Sequence, residues 1–113
     1  MSGITSHILD TARGKPAAGV SVALMSRHQD TFVEIARAET DNDGRIKSFP
    51  VAEPLKPGTY RLVFATEAYF RAHGNDAPFY PEVAVTFVLG HPQEHYHVPL
   101  LLSPFGYSTY RGS

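Results

Sequence analysis

The feature that most constrains the fold is a series of short runs rich in Val, Ile, Phe, Tyr and Thr, separated by Gly and Pro. β-Branched and aromatic residues favour strands, and the nine glycines and nine prolines keep the runs short. Short strands at this spacing are typical of an all-β sandwich. The runs predict strands at 4–9, 20–27, 31–39, 45–47, 59–66, 83–90, 95–103 and 106–111.

One helix and one tight turn interrupt the predicted strands. The stretch TEAYFRAHG predicts a short helix that begins with Thr66 as its N-cap and ends at Gly74. The stretch TDNDG predicts a turn in which Gly44 adopts a positive φ, because Asp, Asn and Gly favour such conformations. This turn lies directly before Arg45.

Composition limits what the chain can bind. Ten Lys and Arg residues against eleven Asp and Glu residues give a net charge of −1, which provides no basic face for nucleic acid or an anionic membrane. The absence of Cys removes disulfides, thiol nucleophiles and Cys-based zinc sites. The length of 113 residues predicts a single domain, 1–113. The N-terminus lacks the pattern of a secretion signal and the ending is not of the S-K-L type, so we expect a cytoplasmic protein.

Period-two alternation assigns a face to each side chain of the terminal strands. The strand at 95–103 carries four apolar residues on the face that we assign to the core, namely Tyr96, Val98, Leu100 and Leu102. The opposite faces of three strands carry histidines, leucines and hydroxyls, namely His7, Leu9, His95, His97, Leu101, Ser108 and Tyr110. This mixture is unusual for a solvated face and indicates a binding site or an interface.

The histidines on this face are compatible with more than one kind of site. His95 and His97 point the same way and, with His91 or His7, could bind zinc or copper. No Asp/Glu–His spacing supports such a site, so we predict no metal and no cofactor. The chain also has no G-x-S-x-G elbow, G-x-G-x-x-G motif or P-loop, so the residue patterns alone indicate no reaction.

Two long stretches carry a resemblance to a known family. SHILDTARGKPAAGVSVAL near the start and HYHVPLLLSPFGYSTYRGS at the end are similar to the signatures of the transthyretin-like family. The stretches TDNDGRI, GTYRLVFAT and FYPEVAVTF fall where the family has them. The ending Tyr-Arg-Gly-Ser resembles the branch of 5-hydroxyisourate hydrolases and not that of the thyroid-hormone carriers. The resemblance covers essentially the whole chain.

The resemblance implies a transthyretin-like two-sheet β-sandwich with one short helix, assembled as a homotetramer. Dimers extend their sheets edge to edge, and two dimers pack face to face with the active sites in the channel between them. We also expect a neighbouring subunit to order the C-terminal residues. The family's catalytic residues match His7, Arg45, His97 and Tyr110. Candidates for substrate contact or channel wall are Leu9, His95, Leu101, Ser108 and Arg111.

The implied activity is hydrolysis of 5-hydroxyisourate to 2-oxo-4-hydroxy-4-carboxy-5-ureidoimidazoline in purine catabolism. Histidine suits deprotonation of the attacking water because its ordinary pKa is about 6.5, and either His97 or His7 could be this base. Arg45 could stabilise the developing anion, and Tyr110 could donate a hydrogen bond to the substrate. The alternatives are a transthyretin-type carrier that binds a small ligand in the same channel, and a purely structural sandwich.

Overall fold

The computed structural model describes residues 3–113, which contain nine strands and one helix. In chain order these elements are β1 (Gly3–Asp10), β2 (Lys15–Pro16), β3 (Ser21–His28), β4 (Thr31–Glu39), β5 (Arg45–Ile46), β6 (Gly58–Phe64), α1 (Thr66–Ala72), β7 (Val83–Leu89), β8 (His95–Ser103) and β9 (Gly106–Thr109). Every predicted strand is present, although β9 ends earlier than predicted. The prediction missed β2, because two residues are too few to show a periodic pattern. No helix within residues 3–113 is long and apolar enough to cross a bilayer.

The strands form two sheets, which confirms the predicted all-β sandwich. One sheet has the order β2–β1–β8–β9, with β5 also paired to β1, and the other has the order β4–β3–β6–β7. All of these pairs are antiparallel except β1 and β8, which run parallel. This parallel pair joins the first long strand to the next-to-last strand, so residues from both ends of the chain meet in one sheet.

The burial pattern confirms the faces assigned from alternation. Along β1, half-buried and buried residues alternate, so that Ile8 is fully buried while His7 and Leu9 on either side of it are only half-buried. Along β8 the four residues assigned to the core are buried, whereas His95 is exposed and His97 is half-buried. The sheet therefore presents its histidines on the face that points away from the core.

Helix α1 is present, but the predicted Thr66 cap is wrong. The N-cap position is Ala65, and no side chain caps the helix there. Thr66 is instead the first helical residue and is fully buried, and its hydroxyl donates a 2.8 Å hydrogen bond to the carbonyl of Tyr80. Gly74 has φ of +89°, consistent with its predicted place just past the helix end.

Candidate active site

The predicted turn before Arg45 fixes where this arginine lies. Gly44 has φ of +74°, and a Cβ at this position would lie 2.5 Å from the carbonyl oxygen of Ile8, so only glycine fits beside β1. The Asp41 carboxylate accepts hydrogen bonds from the backbone N–H groups of Asp43, at 2.9 Å, and Arg45, at 3.0 Å. The bond from Arg45 is the main reason that the pKa of Asp41 is lowered. The turn therefore places Arg45 beside β1.

Strand pairing brings Arg45 and the histidines onto one face. Within the sheet, β5 places Arg45 directly opposite His7 of β1. On the other side of β1, Thr5 lies opposite His97 of β8, and the latter is two residues beyond His95 on the same face. Directly opposite residues project to the same side of a sheet, so all five side chains share the outer face.

A surface pocket of about 460 Å³ lies at this part of the outer face. It is lined by residues of β1, β5 and β8 and by the chain terminus, namely Thr5, Ser6, Arg45, Ile46, Lys47, His95, His97 and Ser113. The pocket thus brings together three of the candidate residues, Arg45, His95 and His97. His7 lies beside the pocket as the strand partner of Arg45.

The surroundings of His97 favour its neutral form. Partial burial is the largest cause that lowers the pKa of His97, because the charged imidazolium is less well solvated there. The neighbouring His95, His7 and Arg45 lower it further by charge repulsion. A neutral imidazole can accept a proton, so the pocket holds a group with the property that a general base requires.

Tyr110 and Arg111 lie away from this pocket. The side chain of Tyr110 is 58% exposed, and both residues line a separate cavity of about 190 Å³ that includes Val85 and Phe87 of the other sheet. Arg111 forms a 3.0 Å ion pair with Glu94. Arg111 therefore anchors the chain on the far side of the sheet from the histidines.

Contacts within the chain hold the C-terminal residues in place. The guanidinium of Arg111 lies 4.4 Å from the centre of the Tyr96 ring, and the backbone N–H of Gly112 donates a 2.8 Å hydrogen bond to the carbonyl of His97. The expectation that a neighbouring subunit orders this segment is therefore not needed to explain its conformation. The terminus instead continues the β9 register and ends beside His97.

The remaining candidates lie further along the same outer face. Leu9 is paired with Leu101 across β1 and β8, and Leu101 with Ser108 across β8 and β9. These residues form a strip beside the pocket but do not line it.

Five pocket residues were not predicted from the sequence, namely Thr5, Ser6, Ile46, Lys47 and Ser113. Thr5 and Lys47 each lie two residues from a predicted site residue, so period-two alternation contained a signal for both. Ser6 and Ile46 are buried strand partners, so alternation gave no signal for them. Ser113 is brought to the pocket only by the path of the C-terminal segment.

Within residues 3–113, no three His, Cys, Asp or Glu side chains are grouped so that they could hold a metal ion. His95 and His97 instead both hydrogen-bond the Thr5 hydroxyl.

Comparison with known proteins identifies the family. The sequence model of the HIUase/Transthyretin family matches residues 4–112. The chain belongs to this family. A 5-hydroxyisourate hydrolase of Caulobacter vibrioides is 48% identical, with 100% of each chain covered. A 5-hydroxyisourate hydrolase of Mus musculus is 42% identical over 99% of this chain and 96% of the mouse protein.

Solved structures of the HIUase/Transthyretin family share the sandwich. The 5-hydroxyisourate hydrolase of Klebsiella pneumoniae has a TM-score of 0.84 and 38% identity, covering 99% of this chain and 100% of that one. Sea bream transthyretin in complex with thyroxine has a TM-score of 0.87 and 34% identity, covering 96% of this chain and 93% of that one. Enzymes and a binding protein therefore share this scaffold, so the fold does not by itself choose between these functions.

Proposed function

We propose that this chain hydrolyses 5-hydroxyisourate to 2-oxo-4-hydroxy-4-carboxy-5-ureidoimidazoline. The observation that carries the proposal is the pocket in which His97, with a lowered pKa, lies beside Arg45. A hydrolase needs a base and a stabiliser of negative charge, whereas a carrier needs neither. The curated relatives at 42–48% identity are named 5-hydroxyisourate hydrolases, which supports the same choice.

In the proposed mechanism, His97 is the base that activates water. It accepts a proton as the water oxygen bonds to the electrophilic ring carbonyl carbon of the substrate. The C–N bond of the ring amide then breaks, and the imidazolium returns its proton to the leaving nitrogen. We favour His97 over His7 as the base because His97 lines the pocket and has the lowered pKa.

Arg45 and His7 are proposed to act as a pair on the substrate. Arg45 is permanently charged and presents several donors, so it can bind the ureide edge and stabilise the oxygen that becomes negative. His7 lies opposite Arg45 in the sheet, where it can orient the guanidinium or the substrate.

We assign the candidates that lie outside the pocket, Tyr110, Leu9, Leu101 and Ser108, to a channel that forms between subunits. We propose a homotetramer of single-domain subunits in which the outer faces meet around the sites. Strands β7 and β9 each have one unpaired edge within the described chain, and Val88 and Tyr110 beside them are exposed, which supports edge-to-edge dimers. In this arrangement Tyr110 donates a hydrogen bond to the substrate, and Leu9, Leu101 and Ser108 form the channel wall.

The direct test is the decay of ultraviolet absorbance of 5-hydroxyisourate, freshly made by oxidation of urate, with and without the protein. We expect the protein to accelerate the decay, and the variants His97→Ala and Arg45→Ala to lower turnover at least about tenfold, because acid–base assistance is worth roughly 10²–10⁴-fold. Each subunit should remain folded, since both side chains lie outside the core. Gel filtration should show the same oligomer as for the wild-type protein.

Matched controls come from the opposite sheet. Arg37→Ala and His28→Ala remove the same residue types from exposed positions on β4 and β3, and both should retain wild-type turnover. Decay that the wild-type protein does not accelerate would refute the hydrolase proposal. Tight binding of an aromatic ligand under the same conditions would then favour the carrier.

A further inference from the structure

The hydroxyl of Thr5 lies between two imidazole rings. Its oxygen is 2.8 Å from Nε2 of His95 and 2.8 Å from Nδ1 of His97. The two rings are stacked, with centres 6.5 Å apart and planes inclined by 25°. The β-branch of threonine restricts χ1, so the hydroxyl oxygen is held in a nearly fixed position between the rings.

The number of hydrogens restricts how these bonds can form. A hydroxyl has one hydrogen, so Thr5 can donate to only one of the two rings, and it can accept from the other. If Thr5 donates to His95, then Nδ1 of His97 must carry a hydrogen and donate it to Thr5. A neutral His97 then has its lone pair on Nε2.

We propose that Thr5 is a positioning residue that donates to His95 and accepts from Nδ1–H of His97, so that Nε2 of His97 is left as the proton acceptor. No hydrogen bond from residues 3–113 engages this Nε2 atom. The effect on rate rests on the proposed hydrolysis, whereas the tautomer itself does not. The opposite hydroxyl orientation would place the hydrogen on Nε2 and remove the base.

The proposed arrangement suits a group that gains and loses a proton. When His97 accepts a proton at Nε2, Nδ1–H continues to donate to Thr5, so the ring keeps its position in both states. Nothing has to reorganise during the proton transfer, which is the benefit of a preorganised site.

The groups around His97 favour a neutral ring, so the ring nitrogen that carries the hydrogen determines which nitrogen can act as the base. Groups that face His97 are His7 from β1, Arg45 from β5, Lys47 just after β5 and His95 from β8, and Ser113 also lines the pocket. Burial and the charge of Arg45 favour the neutral imidazole, and a neutral imidazole has a single lone pair. Whether that lone pair is on Nε2 or Nδ1 decides whether water in the pocket can be deprotonated.

The test compares Thr5→Val with Thr5→Ser. Valine keeps the branched shape but removes the hydroxyl, whereas serine keeps the hydroxyl. We expect Thr5→Val to lower kcat about tenfold or more with little change in KM, because the base is no longer aligned. Thr5→Ser should recover most of this loss. Thr59→Val, on β6 of the other sheet, is the control for a threonine-to-valine change and should have wild-type kcat.

The tautomer is measured separately by nitrogen NMR of the protein labelled with ¹⁵N-histidine. Above the pKa of His97, the wild-type and Thr5→Ser proteins should carry the hydrogen on Nδ1, and Thr5→Val should show a mixture of tautomers. A wild-type His97 with its hydrogen on Nε2 would overturn the proposal, as would wild-type kcat in Thr5→Val. If the wild-type protein did not hydrolyse 5-hydroxyisourate, the proposed function would fail, and the NMR result alone would decide the role of Thr5.

Discussion

Replacing Gly112 with alanine tests whether the C-terminal segment controls the position of His97. A Cβ at this position would lie 2.6 Å from Cδ2 and 3.3 Å from Cγ of the His97 ring. Non-bonded carbons pack at about 3.5–4.0 Å, so the ring would have to move by roughly 1 Å or the segment would have to lift away. The φ angle of Gly112 is not positive, so the backbone permits alanine and the nearest obstacle is the side chain of His97.

Both responses lead to a loss of activity with little loss of stability. A displacement of about 1 Å at a catalytic group can lower the rate by roughly 10²-fold. Lifting the segment would break the hydrogen bond from Gly112 to the carbonyl of His97, which is worth about 0.5–1.5 kcal/mol. Neither response touches the core, so the sandwich should remain folded.

The assay is kcat for 5-hydroxyisourate, together with urea unfolding. We expect Gly112→Ala to lower kcat by about 10- to 100-fold and the free energy of unfolding by no more than about 1.5 kcal/mol. Gly106→Ala is the matched control, because a Cβ there would meet only the Ser103 hydroxyl, at 3.7 Å. Wild-type kcat in Gly112→Ala, with unchanged NMR shifts of the His97 ring, would refute the inference that a Cβ at residue 112 displaces this ring.

Two further predictions concern pH and stability. Because the base must be neutral and the pKa of His97 is lowered, kcat/KM should fall only as pH drops below about 6.5. His95→Ala should move this fall to higher pH but not as far as the ordinary histidine pKa, since burial is the larger cause of the lowered pKa. A fall centred above pH 6.5 in the wild-type protein would contradict this. Tyr69→Phe removes a 2.7 Å hydrogen bond to the buried carboxylate of Asp10 and should lower the free energy of unfolding in urea by about 1–3 kcal/mol, so an unchanged unfolding midpoint would contradict it.

The faces of the terminal strands could be predicted because alternation is a local property of each strand. Ile8 is buried and His7 is not, as the pattern of the first strand requires. The wrong cap at Thr66 shows where local reasoning fails, because its hydroxyl is used by the carbonyl of Tyr80 in a distant loop. A side chain that can cap a helix will bond elsewhere when the packed structure offers a better-placed acceptor.

Positions at the pocket were only partly predictable. Arg45 and His97 were predicted as catalytic residues through the family resemblance, and the fold brings both to one pocket. Thr5 was not predicted, although this residue shares the face of His7. Arg111 was predicted as a candidate contact, but its guanidinium lies over the ring of Tyr96, which is on the core face of β8.

The all-β class follows from the short β-branched and aromatic runs between Gly and Pro, and the outward-pointing side chains follow from the pleat of each strand, so both are local properties. The parallel pairing of β1 with β8, which places Thr5 opposite His97, is visible only in the folded chain. These two residues are 92 positions apart in the chain, and a shift of one residue in their register would turn one of them toward the core. That register depends on the packing of the whole sandwich, so the hydrogen bonds of the pocket had to be read from the fold.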